Sequence, residues 1–423
     1  MEPPGLRLID AAPALPRSLC TDCGLSRTDR ARDCGKACQF IRPDYPAMER
    51  QVHGAAAAED GDALFFGQYL AMHRARMRAP AEGAQWTGIT TGLAAGLLDR
   101  GAVDAVLCVA PDPADRWRPV PAIVTDPAAM AQVRGMRMGY APLLAALGPA
   151  REAGHKRLAV IGIPCQIHAL RRIEKSLGFA RITVIGTPCS DNTSTENFHA
   201  FLARLSDRPE RITYLEFRAD YRVELRFDDG TTRLIPFLDL PLSDLPGDFF
   251  PVTCRTCVDY TNRLADITVG YMAGNGDQWL IVRNARGAET LAALGDAVVL
   301  EPLTSGGRRV AAVRGFIANT ARAAGGLPLR RMPRWLRPIV SWLQPRTGPR
   351  GLEFARARLE MKAAETILHL RRTHPRRMKW MIPAHVWALA RPYDLTPQAE
   401  EHPPGGGVFA PPVPSPAAQE PRA

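Results

Sequence analysis

The sequence predicts an α/β fold: a core built on a parallel sheet and interrupted by an antiparallel insertion, with a small cysteine-bearing lobe before it and a helical extension after it. Two segments carry the core. RLAVIGIPCQIHAL and RITVIGTPCSDN each read as a buried apolar strand that breaks at a Gly-x-Pro-Cys turn, and strand ends are where open α/β sheets place their chemistry. From GAQWTGITTGLAAGLLDRGAVDAVLCVA onward the text alternates loop, helix and strand, through AAMAQVRGM and PLLAALGPA, which implies parallel strands joined by crossover helices. ITYLEFRADYRVELRFDDGTTRLIPF alternates instead with period two around the turn signal Asp229-Gly230, the pattern of antiparallel hairpins.

Residues 1–80 are expected to form the cysteine-bearing lobe, closing on a helical stretch around DALFFGQYLAMHRARM. Residues 81–325 form the core, 326–395 a basic helical C-terminal region, and 396–423, dominated by Pro, Ala, Gly and Glu, a disordered tail. A chain of 423 residues with 46% hydrophobic content suits a globular protein with a sizeable core and excludes a fibrous class. The start, MEPPGLRLIDAAPALPRS, lacks the positive opening and unbroken apolar run of a secretory signal, and no window is long enough to cross a bilayer, so a cytoplasmic location is expected. The net charge of +11, much of it between Leu329 and Arg377, asks for an acidic partner. Nucleic acid, an anionic membrane surface and an acidic electron carrier all satisfy that rule. Trp335, Trp342, Trp380 and Trp387 recur among Leu, Ile and Arg at helical spacing. That predicts amphipathic helices packed on the body, with a membrane or nucleic-acid face as the alternative.

Eight of the nine cysteines fall into two sets of four. In a reducing compartment clustered cysteines are metal ligands or redox groups more often than structural disulfides. The first set, Cys20, Cys23, Cys34 and Cys38, has the compact spacing of small ferredoxins, though a structural zinc accepts four thiolates at similar spacing. The second joins Cys165 and Cys189, from the two strand ends, with Cys254 and Cys257 from a distant Cys-x-x-Cys turn. Such a layout suits an iron–sulfur cluster better than a local zinc knuckle, the competing reading being two buried cysteines beside a redox Cys-x-x-Cys. Cys108, inside the apolar run VDAVLCVA, reads as core. The loop GAQWTGITTG before a helix offers backbone amides and threonine hydroxyls to a phosphate or a ring edge, or serves simply as a helix cap.

The order of GAQWTGITTGLA, IGIPCQIHALR, IGTPCSDN, YLEFRADY, CRTCVDYTNRLADITVGYM and QWLIVRNARG resembles the family of flavin- and iron-sulfur-containing beta subunits of coenzyme F420 (deazaflavin) hydrogenases and formate dehydrogenases. The likeness spans roughly residues 15–295 and is greatest to the ferredoxin-dependent branch that reduces chlorophyll precursors. It implies a parallel-sheet flavin core with an N-terminal iron-sulfur lobe, bound FAD, and two 4Fe-4S clusters held by the eight cysteines. It also implies flavin contacts at Trp86, Thr87, Gly88, Ile89, Thr90, Thr91, Asn262, Gln278 and Arg283. Where deazaflavin-using members carry an Asp-Gly-Gly turn this chain has Trp86-Thr87-Gly88, and their Gly-Tyr-Met-Gly run ends here in Ala273.

The activity so implied is conversion of the 8-vinyl group of divinyl (proto)chlorophyllide to ethyl, with reduced ferredoxin as donor. Flavin would bridge one-electron supply to a two-electron reduction. Proton-donor candidates are His168, Asp220, Tyr221 and Tyr271. Arg137, Arg218 and Arg283 could face flavin phosphate or a substrate carboxylate, surface pairing being the competing role. Asp259 and Asp266, flanking Asn262, either hold the cysteine loop through hydrogen bonds or take part directly in the chemistry. A homo-oligomer with a peripheral membrane contact and no nucleic acid completes the expectation. Its rivals are a 7-hydroxymethyl chlorophyll reductase, an electron-input subunit of another oxidoreductase, and a zinc-stabilised basic nucleic-acid-binding protein.

Overall fold

The computed structural model of the chain describes residues 4–11, 20–218, 220–271, 278–322 and 332–401. Six strands precede the insertion: β1 (Leu6–Leu8), β2 (Ala71–Met77), β3 (Ala105–Pro111), β4 (Pro119–Val124), β5 (Arg157–Gly162) and β6 (Arg181–Gly186). The insertion forms a separate antiparallel sheet of β7 (Ile212–Phe217), β8 (Arg222–Phe227) and β9 (Thr232–Pro236), turning at Gly230 with φ 81°. The chain then returns to the large sheet with β10 (Ile267–Tyr271), β11 (Gln278–Val282) and β12 (Val298–Glu301). That sheet has nine strands in the order β1-β4-β3-β5-β6-β10-β11-β2-β12.

Only the centre of the sheet is parallel. Neighbours β3, β5, β6 and β10 run the same way, whereas the pairings β1–β4 and β4–β3 on one flank and β10–β11, β11–β2 and β2–β12 on the other are antiparallel. The expected parallel core is thus corrected to a mixed sheet. The first eighty residues do not stand apart from it, because they supply an edge strand and β2. The stretch DALFFGQYLAMHRARM is helical only over Gly61–Phe66. Gly67 ends the turn at φ 78°, ψ −171°, a conformation reserved for glycine, and AMHRARM becomes β2, paired on both sides by β11 and β12. Ladders on two edges outweigh a modest helix propensity.

Nine helices matter here: α1 (Tyr45–His53), α2 (Ile89–Asp99), α3 (Pro164–Ile173), α4 (Thr195–Leu205), α5 (Ala285–Ala292), α6 (Arg309–Arg322), α7 (Arg337–Thr347), α8 (Leu352–Thr373) and α9 (Ala384–Ala390). Both sheet faces are covered, which is why the central strands read as unbroken apolar runs rather than alternating ones. On one face Ile89, Leu93 and Leu97 of α2 pack on Val106, Ala159 and Ile185. Cys108 is part of that core, its thiol pushed up to about 12 by burial, as its setting in the sequence predicts. On the other face Ile167 and Leu170 of α3 pack on Leu158, Val160 and Val184. α8 and α9 close a third core over Phe66 and Trp279, and α4 covers the insertion with Phe198 and Leu202.

Of the four C-terminal tryptophans, Trp387 packs on the body at 2% exposure, while Trp335, Trp342 and Trp380 stand 70%, 61% and 50% exposed. Within the segment expected to be a disordered tail, the chain is still packed at Glu401, which pairs with Arg371 at 2.7 Å. The rest of that segment from residue 402 lies outside the described residues. Among the described residues no helix is long and apolar enough to cross a membrane.

Candidate functional site

β5 and β6 run parallel with Gly162 opposite Gly186, so the two Gly-x-Pro-Cys turns leave the sheet side by side. Pro164 opens α3 and sets Cys165 in its first turn, while the chain leaving β6 passes Thr187 and Pro188 to Cys189. Asn262 ties the two exits together: its Nδ2 donates to the Gly162 carbonyl at 2.8 Å and to that of Thr187 at 3.3 Å. Glycine is needed at 186 for this approach, since a Cβ there would stand 2.7 Å from Asn262 Cγ. The turn bearing Cys254 and Cys257 lies alongside, with the Cys189 amide donating to the Tyr260 carbonyl at 3.0 Å. Burial pushes the Cys165 and Cys189 thiols well above the usual range, and the neighbouring thiols Cys254 and Cys257 add to it. Burial likewise carries Cys257 up to about 11.

The N-terminal set closes around the short helix Cys34–Ala37. Burial takes the Cys23 thiol up to about 12, with Cys38, Cys20 and Cys34 each contributing. The two sets meet. Thr21 donates its hydroxyl to Cys165 Sγ at 3.6 Å, and the Gln39 amide reaches Cys257 Sγ at 3.5 Å while accepting from the Tyr45 hydroxyl at 2.9 Å. Tyr140 lies within electrostatic reach of Cys20, Cys165 and Cys254. All eight are free thiols. Among the described residues no three His, Cys, Asp or Glu side chains converge tightly enough to hold a single ion. The fit to a larger four-thiolate group rests on other grounds: neighbouring half-buried thiols that iron would ionise, with N–H and O–H donors aimed at sulfur.

The loop before α2 is fixed to the sheet beside these strand ends. Gly88 caps α2 at φ 87°. Thr87 donates to Gln278 Oε1 at 3.2 Å, the Ile89 amide reaches the same oxygen at 3.4 Å, and the Met77 amide donates to the Thr87 hydroxyl at 3.2 Å. Thr90 and Thr91 follow in the first turn of α2. Trp86, Tyr221 and Asn262 all hold positive φ, at 56°, 62° and 59°, and strain of this kind gathers at binding sites. Two buried polar atoms near Pro188, Asn262 Oδ1 and Trp279 Nε1, have no partner among the described residues. A Cβ on Gly270 would meet both Trp279 Nε1 and Pro188. A polar ligand edge is what such a pair accepts.

The remaining candidates are dispersed. His168 lies under the Cys34–Ala37 turn, its Nδ1 2.9 Å from the Ala37 carbonyl, and burial drives its imidazole down to about 3. Asp220 pairs with Arg218 and Arg222 at 3.4 and 3.1 Å, and Arg218 also holds Glu224 at 2.7 Å. Tyr221 donates to the Pro349 carbonyl at 2.7 Å and shares Phe354 with Trp86. Tyr271 ends β10, its side chain outside the described residues, as is Ala273. Arg137 bonds the carbonyls of its own loop, with that of Arg134 at 2.7 Å. Arg283, 1% exposed, is occupied by the carbonyls of Phe66, Gln68 and Thr261, which leaves it a buried tie rather than a free anion fork.

Two residues escaped the sequence reading. Glu216 of β7 is 7% exposed and accepts from the Trp86 amide at 3.1 Å and the Tyr214 hydroxyl at 2.7 Å. Burial raises its carboxyl above the usual range. Lys362 of α8 is buried, donates to Asp191 at 2.7 Å, and its charge bears on Cys254 and Cys257. A lysine on the apolar stripe of a helix, one turn from Leu359 and Thr366, was the available signal.

Two family models, for the N-terminal and C-terminal parts of the coenzyme F420 hydrogenase/dehydrogenase beta chain, match residues 72–148 and 155–304 respectively. The chain is 35% identical over 381 residues to an uncharacterized protein of Nostoc sp., covering 90% of this chain and 94% of that one. It is also 35% identical over 393 residues to the chloroplastic 7-hydroxymethyl chlorophyll a reductase of Oryza sativa subsp. japonica, covering 89% of this chain and 82% of that one. A chain of the F420-reducing [NiFe] hydrogenase complex from Methanosarcina barkeri shares the fold, with a TM-score of 0.50 at 22% identity over 56% of this chain and 84% of that one.

Proposed function

The chain belongs to the coenzyme F420 hydrogenase/dehydrogenase beta-subunit family, in its chlorophyll-reductase branch, and from that membership we propose a ferredoxin-dependent reductase that converts the 8-vinyl group of divinyl (proto)chlorophyllide to ethyl. The observation that carries this reading is the meeting of two half-buried thiol sets beside the Thr87–Gln278 loop. Bound there, two 4Fe-4S clusters would carry single electrons and FAD would pair them, as a one-electron donor and a two-electron reduction require.

The chain's own residues do the rest. Asn262 keeps the strand ends, and hence Cys165 and Cys189, at fixed separation. Trp86 to Thr91, Gln278 and Asn262 are the residues we assign to the flavin. Glu216, its carboxyl raised above the usual range by burial and touching the Trp86 amide, is the acid best placed to supply the proton, with Tyr221 next to the same loop. Between the Cys38 turn and the Cys254 turn lies a small apolar cavity lined by Ile41, Thr253, His374 and Arg377. Exposed apolar Ile41 beside Arg377 suits an acidic one-electron carrier, steered by the chain's positive charge. A cytoplasmic location, a homo-oligomer and a peripheral membrane contact belong to the same proposal.

A second reading keeps this machinery and changes the substrate to the hydroxymethyl group of chlorophyll, and the likeness to the rice reductase favours it. Anaerobic purification with iron, zinc and flavin quantified in one sample should return about eight irons per chain, about one flavin and no zinc. Iron-free, colourless material would sink both readings. Incubation with divinyl chlorophyllide and reduced ferredoxin should then yield the ethyl product, and turnover of hydroxymethyl chlorophyll alone would transfer the assignment to the second reading.

A further inference from the structure

α7 buries none of its residues. Its inward side is the half-buried row Arg337, Val340, Ser341 and Gln344, which leaves the opposite side to solvent. Its apolar side chains are ordered into a stripe. Trp335, just ahead of the helix, is followed by Ile339 (49% exposed), Trp342 and Leu343 (39%), one face of a 3.6-residue period. α7 touches the turn Phe237–Asp239 of the insertion, where Phe237 and nearby Leu234 are 36% and 41% exposed. Clustered exposed apolar side chains of this kind mark an interaction site.

The segment that carries it is basic, the exposed Asp239 of the neighbouring turn being an acid beside it. Between Glu301 and Glu353 the chain holds ten arginines and not one aspartate or glutamate. Arg346 lies over the Trp342 ring at 4.2 Å and bonds its carbonyl at 2.6 Å, an arrangement that keeps ring and cation at the same depth. A self-complementary face would oppose such arginines across a symmetry axis with no acid in the segment to pair them, whereas an anionic lipid surface supplies the missing charge. Tryptophan and arginine flanking aliphatic residues are the composition that settles at a bilayer interface.

The face adjoins the site. Two residues beyond α7 the Pro349 carbonyl accepts from the Tyr221 hydroxyl at 2.7 Å, and the Tyr221 ring lies 5.8 Å, edge-on, from Phe354, against which Trp86 also packs. We infer that α7 with Trp335 is a docking face for an anionic bilayer, and that it presents the Trp86 loop to the lipid phase from which an apolar tetrapyrrole is taken. The docking stands on the surface itself, and only the identity of the delivered molecule rests on the proposed function.

The test is flotation of the holoprotein with vesicles of phosphatidylglycerol and phosphatidylcholine, against phosphatidylcholine alone. Wild type should float with the anionic vesicles, with a blue shift in tryptophan emission, and should be released by added salt. Trp335→Ser with Trp342→Ser, and separately Arg334→Gln with Arg346→Gln, should each weaken partition by ~tenfold or more with iron and flavin contents unchanged. Those variants should also reduce vesicle-embedded substrate more slowly while matching wild type on detergent-dispersed substrate. Indifference of wild type to anionic vesicles, or equal flotation of both double variants, overturns the inference. So does a tryptophan variant that falls apart from a larger assembly by light scattering, which would assign the face to a second copy. If wild type floats but reduces no detergent-dispersed tetrapyrrole, the proposed function fails while the docking stands.

Discussion

Asp266 and Arg171 are both fully buried and face each other at 2.9 Å beneath the strand ends. Burial works against the Asp266 carboxylate, but Arg171 and Arg286, with the Asn284 amide and the Val184 N–H, hold it below the usual range. Of the two roles the sequence left open for Asp259 and Asp266, hydrogen bonding agrees with this: Asp259 accepts from the Arg263 amide at 3.0 Å, closing the turn that carries Asn262. Removing one partner of such a pair leaves a charge stranded in low dielectric. Asp266→Ala should therefore cost about 3–5 kcal/mol in chemical denaturation of the holoprotein, and a change within error would show that the network is dispensable. Glu216 teaches the opposite lesson. Period-two alternation puts it on a face with Tyr214, but only the position of the Trp86 loop, distant in sequence, makes that face a site.

At the scale of elements, α8 does what no sequence motif announced. Lys362 and Thr366, one turn apart, face the Cys254–Cys257 turn, Thr366 donating to the carbonyls of Arg255 and Cys257 at 3.3 and 3.4 Å. Burial works against the Lys362 charge, yet the Asp191 and Glu365 carboxylates outweigh it and its amine stays above the usual range. A fixed cation beside a thiolate set favours the reduced, more negative state of what the thiolates hold. If the second thiol set holds the proposed cluster, Lys362→Met should shift its reduction potential negative, and Glu365→Gln should shift it positive, in a redox titration followed by electron paramagnetic resonance. Shifts of the same sign in both variants would mean packing, not charge. The same scale explains β2: AMHRARM carries no strand signal of its own, and its conformation is decided by β11 and β12 on either side.

Across the whole molecule two functional faces separate. The cysteine turns with Ile41 and Arg377 lie on one, and the exposed stripe of α7 adjoins the Trp86 loop on another. The core between them is sensitive to acid. His168 and His385 are buried, their Nε2 atoms without a partner among the described residues, and burial holds both imidazoles down to about 3. The unfolded chain takes up a proton near pH 6.5 that the native state refuses, so stability is complete above that value and drains as pH falls toward 3. Between pH 6.5 and 5 the loss is about 2 kcal/mol for each histidine. Denaturation midpoints should fall accordingly from pH 7 to pH 5, and a midpoint that holds or rises would contradict the burial of these rings.

By itself the sequence determined the apolar strands that end in Gly-x-Pro-Cys, the hairpins around Asp229-Gly230 and the core role of Cys108, because each is written in local periodicity, spacing or turn chemistry. Only the tertiary structure decided that the sheet is mixed, that Arg283 is a buried tie, that Glu216 reaches the Trp86 loop and Lys362 the second sulfur set, and that the apolar stripe of α7 is exposed among the described residues. Those outcomes depend on contacts between residues far apart in the chain, or on the lack of any, and neither is encoded in a window of neighbouring residues.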